Sequence, residues 1–224
     1  MLPNGFSYWL RQINWPVSSA PKLFVSACLL GKAVRYDGKS KSVDWISTIE
    51  PLVDWIEICP EVEAGLGVPR PPVQLIQGSS GISALGRDLP IDVTHELIHT
   101  SNELSQRLES LQVAGCLLKS KSPSCGVGTT PIFNSKGTII EAKGNGLIAD
   151  KFEQLHSVVE DDQSIANEYQ QLVFLMKAKL YQQYLAEEVS EHSPLKPEIE
   201  CLPNSLAYPL LVLFNELCST EIRR

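Results

Sequence analysis

KLFVSACLLGKAVRYDG, residues 22–38, changes character near its middle: residues 22–29 are almost wholly apolar, and from Gly31 onward glycine and charge take over. A short apolar run closed by a turn signal reads as a strand buried on both faces, because burial of both faces removes the need for polar alternation. Residues 55–59 (WIEIC) and 113–118 (VAGCLL) repeat the pattern. Between them lie helical stretches. One runs over residues 44–55, with Asp44 as N-cap and Pro51 bending it; the other starts at Thr94 and places Leu97, Ile98, Leu104, Leu108 and Leu111 along an amphipathic face. Buried strands alternating with helices predict an α/β fold with a parallel Rossmann-like sheet flanked by helices.

The rest of the chain is read around that frame. The loop PEVEAGLGVPRPP leads to a short extended piece at 73–77, and residues 138–141 read as a hairpin-edge strand. GNG at 144–146 introduces a helix through residue 155, where the core is expected to close. Helices follow at 164–188 and at 206–218, the second with Pro209 in its first turn, separated by the breaker-rich HSPLKPEIECLPN. The expected organisation is an N-terminal extension (1–21), an α/β domain (22–155) and a helical C-terminal extension (156–224).

A chain of 224 residues, 43% hydrophobic, buries a sizeable core. The longest apolar runs fall far short of the roughly 20 residues that span a bilayer, and the N-terminus has no export pattern, so a cytoplasmic protein without a membrane span is expected. Charge is uneven. Residues 1–150 carry 13 Lys+Arg against 14 Asp+Glu, and residues 151–224 carry 6 against 12. An acidic chain offers no broad basic face to a nucleic-acid duplex, although Lys32, Arg35, Lys39 and Lys41 form one local cluster.

Open parallel sheets bind ligands beyond the carboxyl ends of their strands. Cys28, Cys59 and Cys125 all fall there by this reading. Neighbouring strands are about 5 Å apart, so large sequence separations do not prevent these cysteines from meeting. Each alone reads equally as a packed thiol. Pro60 and Glu61 after Cys59, and the serines, proline and glycine around Cys125 in KSKSPSCGVG, supply loop chemistry that a core thiol does not need. Three thiolates without a fourth would leave a coordination position open, as in a working zinc or iron-sulfur site. Cys116 reads as core, and Cys201 and Cys218 as packing or surface thiols. HELIH, residues 95–99, has the spacing of two zinc ligands but no third nearby, and reads better as a solvated helix face. No CxxC is present, which disfavours a redox thiol enzyme.

Taken together, FVSACLLGKAVRYDG, ICPEVEAGLGVPRPPVQL and LLKSKSPSCGVG resemble the TudS-like thiouracil desulfidase family over about residues 22–150. The resemblance implies a 4Fe-4S cluster held by Cys28, Cys59 and Cys125, with one iron open. It also implies non-redox conversion of a thiolated pyrimidine to the oxo-pyrimidine and hydrosulfide. The family often has a further cysteine where this chain has Val34. An open iron would polarise the thiocarbonyl as a Lewis acid. Glu61 is the first choice to move protons, with Glu57 the runner-up. Ser122 and Ser124 are candidates to orient water or stabilise negative charge, against a plain turn role around Pro123. Arg35, Lys39, Ser40 and Lys41 are candidate contacts for the phosphate of a nucleotide such as 4-thio-UMP. Arg70 is expected to pair with Glu61 or Asp37. The C-terminal extension is expected to serve packing or self-association, including a homodimer. The competing reading is a non-catalytic nucleotide-binding or sensing module braced by a structural metal such as zinc.

Overall fold

The computed structural model describes residues 20–155, 158–186 and 195–218; the expected N-terminal extension, up to residue 19, lies outside them. In chain order the elements begin with β1 (Lys22–Ser26), α1 (Ile46–Ile49), β2 (Asp54–Ile58), α2 (Pro60–Glu63), β3 (Val73–Gly78), β4 (Gly81–Gly86) and α3 (Thr94–Ser110). They continue with β5 (Gly115–Leu118), β6 (Thr130–Asn134), β7 (Ile139–Gly144), α4 (Leu147–Leu155) and β8 (Val159–Asp161). The chain then turns helical through α5 (Glu168–Leu185), α6 (Leu195–Glu200) and α7 (Asn204–Cys218).

The main sheet has the order β2-β1-β5-β8 and is parallel throughout, with Phe24 opposite Ile56 and Cys116, and Leu118 opposite Asp161. Its central strand β1 is covered on both faces, and Leu23, Phe24 and Val25 are inaccessible to solvent. The pleat divides them. Leu23 and Val25 join Leu117, Leu172, Phe174 and Phe214 in one core cluster, so α5 and α7 cover that face. Phe24 joins Cys116, Leu104, Leu108, Ile148 and Phe152 in another, beneath α3 and α4. The C-terminal helices are thus one of the two layers that bury the sheet. Phe214→Ala, at a side chain 1% exposed, should lower unfolding free energy in urea by about 3–5 kcal/mol.

A second sheet, β4-β3-β6-β7, is mixed: β3 pairs antiparallel with β4 and parallel with β6, and β7 closes the far edge antiparallel to β6. Leu75, Ala84 and Ile132 pack there with Val93 and Leu97. Among the described residues no helix is long and apolar enough to cross a membrane.

Several local expectations are corrected. The first strand stops at Ser26, and Cys28 lies in a 3-10 turn, Ala27–Leu30. Gly31, at φ 91°, ends that turn by donating to the Ala27 and Cys28 carbonyls, in a left-handed conformation that glycine adopts without strain. Asp44 does not cap α1; its carbonyl accepts from the Ser47 hydroxyl at 2.7 Å. The Thr94 hydroxyl accepts from the Ala84 N–H at 2.8 Å, tying α3 to β4, and Val93 holds the cap position. An Asn167 capping box with Gln170 starts α5 at Glu168. Pro209 lies inside α7, because the helix begins at Asn204, and α6 interrupts the stretch read as breakers. The sheet also takes its fourth strand from residues 159–161, beyond the point where the core was expected to close.

Candidate functional site

A cavity of about 590 Å³ opens at the carboxyl ends of β1, β2, β5 and β8. Cys28 reaches it from the 3-10 turn after β1, Cys59 from the end of β2, and Cys125 from the loop between β5 and β6. Parallel strands deliver all three because each chain segment leaves its strand at the same edge.

None of the three is a ready thiolate. Burial, reinforced by the neighbouring Cys59, pushes the Cys28 thiol up to about 11. Burial also raises Cys59, and raises Cys125, where the nearby Cys59, Glu61 and Cys28 add to the effect. Thiols held protonated are poor nucleophiles and poor redox centres, whereas metal binding deprotonates a coordinating thiol outright. Among the described residues no group of three or more His, Cys, Asp or Glu side chains is arranged to hold a metal ion as it stands. Soft thiolate donors that share one cavity are the ligands an iron-sulfur cluster takes. The donor set fits such a cluster.

Beside the cysteines stands a buried ion pair. Arg70 Nε lies 2.7 Å from Glu61 Oε2, with the arginine side chain 4% exposed. Arg70 Nη1 donates to the carbonyls of Val34 at 2.9 Å and Gly67 at 2.8 Å, and the Val34 carbonyl also accepts the Cys59 thiol at 3.7 Å. One guanidinium therefore orients a carboxylate and braces the loop behind a cysteine. The second carboxylate oxygen, Glu61 Oε1, accepts from Ser124 Oγ at 3.2 Å.

The Cys125 loop is shaped from within. Ser122 Oγ accepts the N–H groups of Ser124 and Cys125, each at 3.2 Å, and the Ser124 carbonyl accepts from Ile148 at 2.9 Å and Ala149 at 3.2 Å in the first turn of α4. Gly146 lets that turn approach. A Cβ there would stand 2.4 Å from the Ser124 carbonyl carbon and 2.7 Å from the Cys125 nitrogen.

The residues singled out in the sequence divide clearly. Glu61, Ser122, Arg35 and Lys41 line the cavity; Ser124 is fully buried behind Glu61; Lys39 and Ser40 lie on the loop outside the lining. Glu57 pairs with Lys32 at 3.6 Å, away from the cavity. Cys116 is buried in β5, Cys201 is exposed and Cys218 half-buried. His95 and His99 are exposed on α3 with rings 6.4 Å apart, and His99 faces Glu103 at 3.4 Å.

Sequence reasoning missed Ser120, Arg87, Lys119, Lys121 and Asp162, all of which line the cavity. Ser120, 3% exposed, accepts from Lys119 Nζ at 2.8 Å, and Lys119 also pairs with Asp162 at 3.2 Å. Among the described residues no acceptor takes the Ser120 hydroxyl proton, so it is available to the cavity. The signal was present in KSKS, residues 119–122, whose lysines and serines leave the end of β5 together. Lys41 and Lys121 face no carboxylate within ion-pair distance among the described residues, which leaves the mouth of the cavity cationic on an otherwise acidic protein.

Known proteins are similar to this chain in fold and sequence. A solved 4Fe-4S-dependent thiouracil desulfidase, TudS, superposes with a TM-score of 0.56 at 31% identity, covering 65% of this chain and 93% of that one. An uncharacterised protein of Bacillus subtilis (strain 168), YbbK, is 28% identical over 133 residues, which is 57% of this chain and 86% of the relative. The family described as 2-thiouracil desulfurase matches residues 23–163, from β1 to just past β8. By this match, which spans more than half of its length, the chain belongs to the 2-thiouracil desulfurase family.

Proposed function

We propose that this protein is an iron-sulfur-dependent desulfidase that hydrolyses a thiolated pyrimidine, thiouracil or 4-thio-UMP, to the oxo-pyrimidine and hydrosulfide. The observation that carries the reading is the convergence of Cys28, Cys59 and Cys125 on one cavity beside an oriented carboxylate, Glu61. When bound by these three cysteines, a 4Fe-4S cluster supplies an iron without a protein ligand, a Lewis acid for the thiocarbonyl sulfur.

The chain's own residues handle water and protons. Glu61, fixed by Arg70 and Ser124, takes a proton from water as its oxygen adds to the carbon that bears sulfur. The C–S bond then breaks and sulfur leaves as hydrosulfide; water supplies the carbonyl oxygen, one proton is released, and no electrons are transferred. Ser120 and Ser122 each already accept hydrogen bonds from protein donors, so their own hydroxyl protons serve the negative charge that develops on the ring. Ser124 acts through Glu61.

Of the residues read as phosphate contacts, Arg35 and Lys41 line the cavity together with Lys121 and Arg87, which supports a phosphate role for them, although Arg35 is shared with Asp37 at 3.5 Å and Arg87 with Asp88 at 3.7 Å. Lys41→Ala and Lys121→Ala should each raise KM for 4-thio-UMP about tenfold while leaving thiouracil unchanged, since each removes one charge-assisted contact to phosphate alone. The six free cysteines support a reducing, cytoplasmic setting. The catalytic unit is the family-matched region, with the C-terminal helices as its cover. A homodimer through those helices would rest on the exposed Tyr208 and Val212 of α7.

Anaerobic reconstitution should give about four iron and four sulfide per chain, and the loaded protein should release hydrosulfide from thiouracil or 4-thio-UMP. Loaded protein that binds 4-thio-UMP without turnover would instead support the nucleotide-binding module, and loaded protein inert towards both would end the desulfidase reading.

A further inference from the structure

Strand β8 is only three residues long, yet its last residue and the one after it place two adjacent carboxylates against the cavity loop. Asp161 is fully buried. Its Oδ2 accepts the Val127 N–H at 3.2 Å and the Thr129 hydroxyl, and its Oδ1 accepts the N–H groups of Gln163 at 2.9 Å and Ser164 at 3.0 Å. Asp162 turns the other way. Its Oδ1 accepts the Ser120 N–H at 2.6 Å and pairs with Lys119 at 3.2 Å. The loop that carries Cys125 is thus held at its entry, residues 119–120, by Asp162 and at its exit, residues 127–129, by Asp161.

A carboxylate taken wholly out of water is tolerated only when its oxygens are satisfied, and Asp161 meets that condition with donors from both the loop and its own turn. Holding a sheet edge together needs only the β5–β8 ladder, in which Cys116 lies opposite Val159 and Leu117 opposite Glu160. The bonds to Val127 and Thr129 reach past that ladder to the residues two and four positions after Cys125. We infer that β8 positions the third cysteine, with Asp161 as the positioning residue that fixes where the Cys125 sulfur stands. The inference rests on the cluster reading only for its purpose; the placement of the thiol is a property of the metal-free chain.

The test is pulse alkylation of the full-length, metal-free protein with iodoacetamide, read cysteine by cysteine by mass spectrometry, in wild type, Asp161→Asn and Thr129→Val. Loss of a hydrogen bond to a buried carboxylate loosens the segment that it closes, so Cys125 should be alkylated at least about tenfold faster in both variants. Cys28 and Cys116 should keep their wild-type rates. After reconstitution the variants should hold less iron than wild type and show an altered visible spectrum. Unchanged Cys125 rates overturn the inference, and so does a uniform acceleration of all three thiols, the mark of general loosening. Thr129→Val keeps the test alive if Asp161→Asn does not fold. Wild-type protein that takes up no iron would sink the desulfidase reading while leaving the alkylation result to judge β8 by itself.

Discussion

Cys125→Ala is expected to abolish cluster assembly and turnover together, with iron and sulfide falling to near background after anaerobic reconstitution and the broad visible absorption lost. The sulfur removed is one of only three that face the cavity, and no other cysteine among the described residues is placed to substitute: Cys116 lies within β5, Cys201 is exposed, and Cys218 sits at the end of α7. Cys116→Ala is the matched control. It also deletes a buried thiol, so it should cost stability of roughly 1–2 kcal/mol as a small core truncation while leaving iron content and activity intact. Full cluster content and turnover in Cys125→Ala would show that the ligand assignment is wrong.

Glu61→Gln should lower kcat by about 10²–10⁴-fold with cluster content unchanged, the range expected when a positioned proton-transfer group is lost. Glutamine preserves the shape of the side chain and an oxygen for Arg70, so the effect isolates the missing base. Glu61→Ala is a different experiment, because it strands the Arg70 guanidinium, whose side chain is 4% exposed, without its carboxylate. Breaking a buried pair from one side costs about 3–5 kcal/mol, and the Val34 and Gly67 carbonyls that Arg70 keeps place this case at the low end. Thermal unfolding of the two variants separates them: the alanine variant should melt well below wild type and the glutamine variant close to it. Wild-type rates in Glu61→Gln would remove Glu61 from the chemistry.

The part of this molecule legible in its sequence is the part dictated by burial. Residues 22–29 and 113–118 have no polar alternation because both faces of β1 and β5 are covered, and a parallel sheet then brings the segments that carry Cys28, Cys59 and Cys125 to one end of the strands. Strands whose signals are weaker were missed. GISALG in β4 is bounded and diluted by glycine, β6 contains Pro131, and VED in β8 is two-thirds acidic, so none reads as apolar or alternating. Asp44 and Thr94 look like caps, yet the hydroxyl of Thr94 is taken by a strand 10 residues earlier, a partner that no local pattern predicts. The same limit applies to the site. Glu61 and Arg70 were recognisable in one motif, but Ser120 and Asp162 become meaningful only when β5 and β8 lie side by side.

The position of β8 in the chain also bears on biosynthesis. Cys28, Cys59 and Cys125 are all translated before Asp161 and Asp162, and the helices that cover the Leu23–Val25 face of the sheet come later still. A nascent chain that has not yet reached residue 161 therefore carries all three cavity cysteines but neither acid that grips the loop of the third, and one face of its sheet is still bare. The last residues to line the pocket, Asp162 and Gln163, are therefore synthesised after all three cysteines that face it.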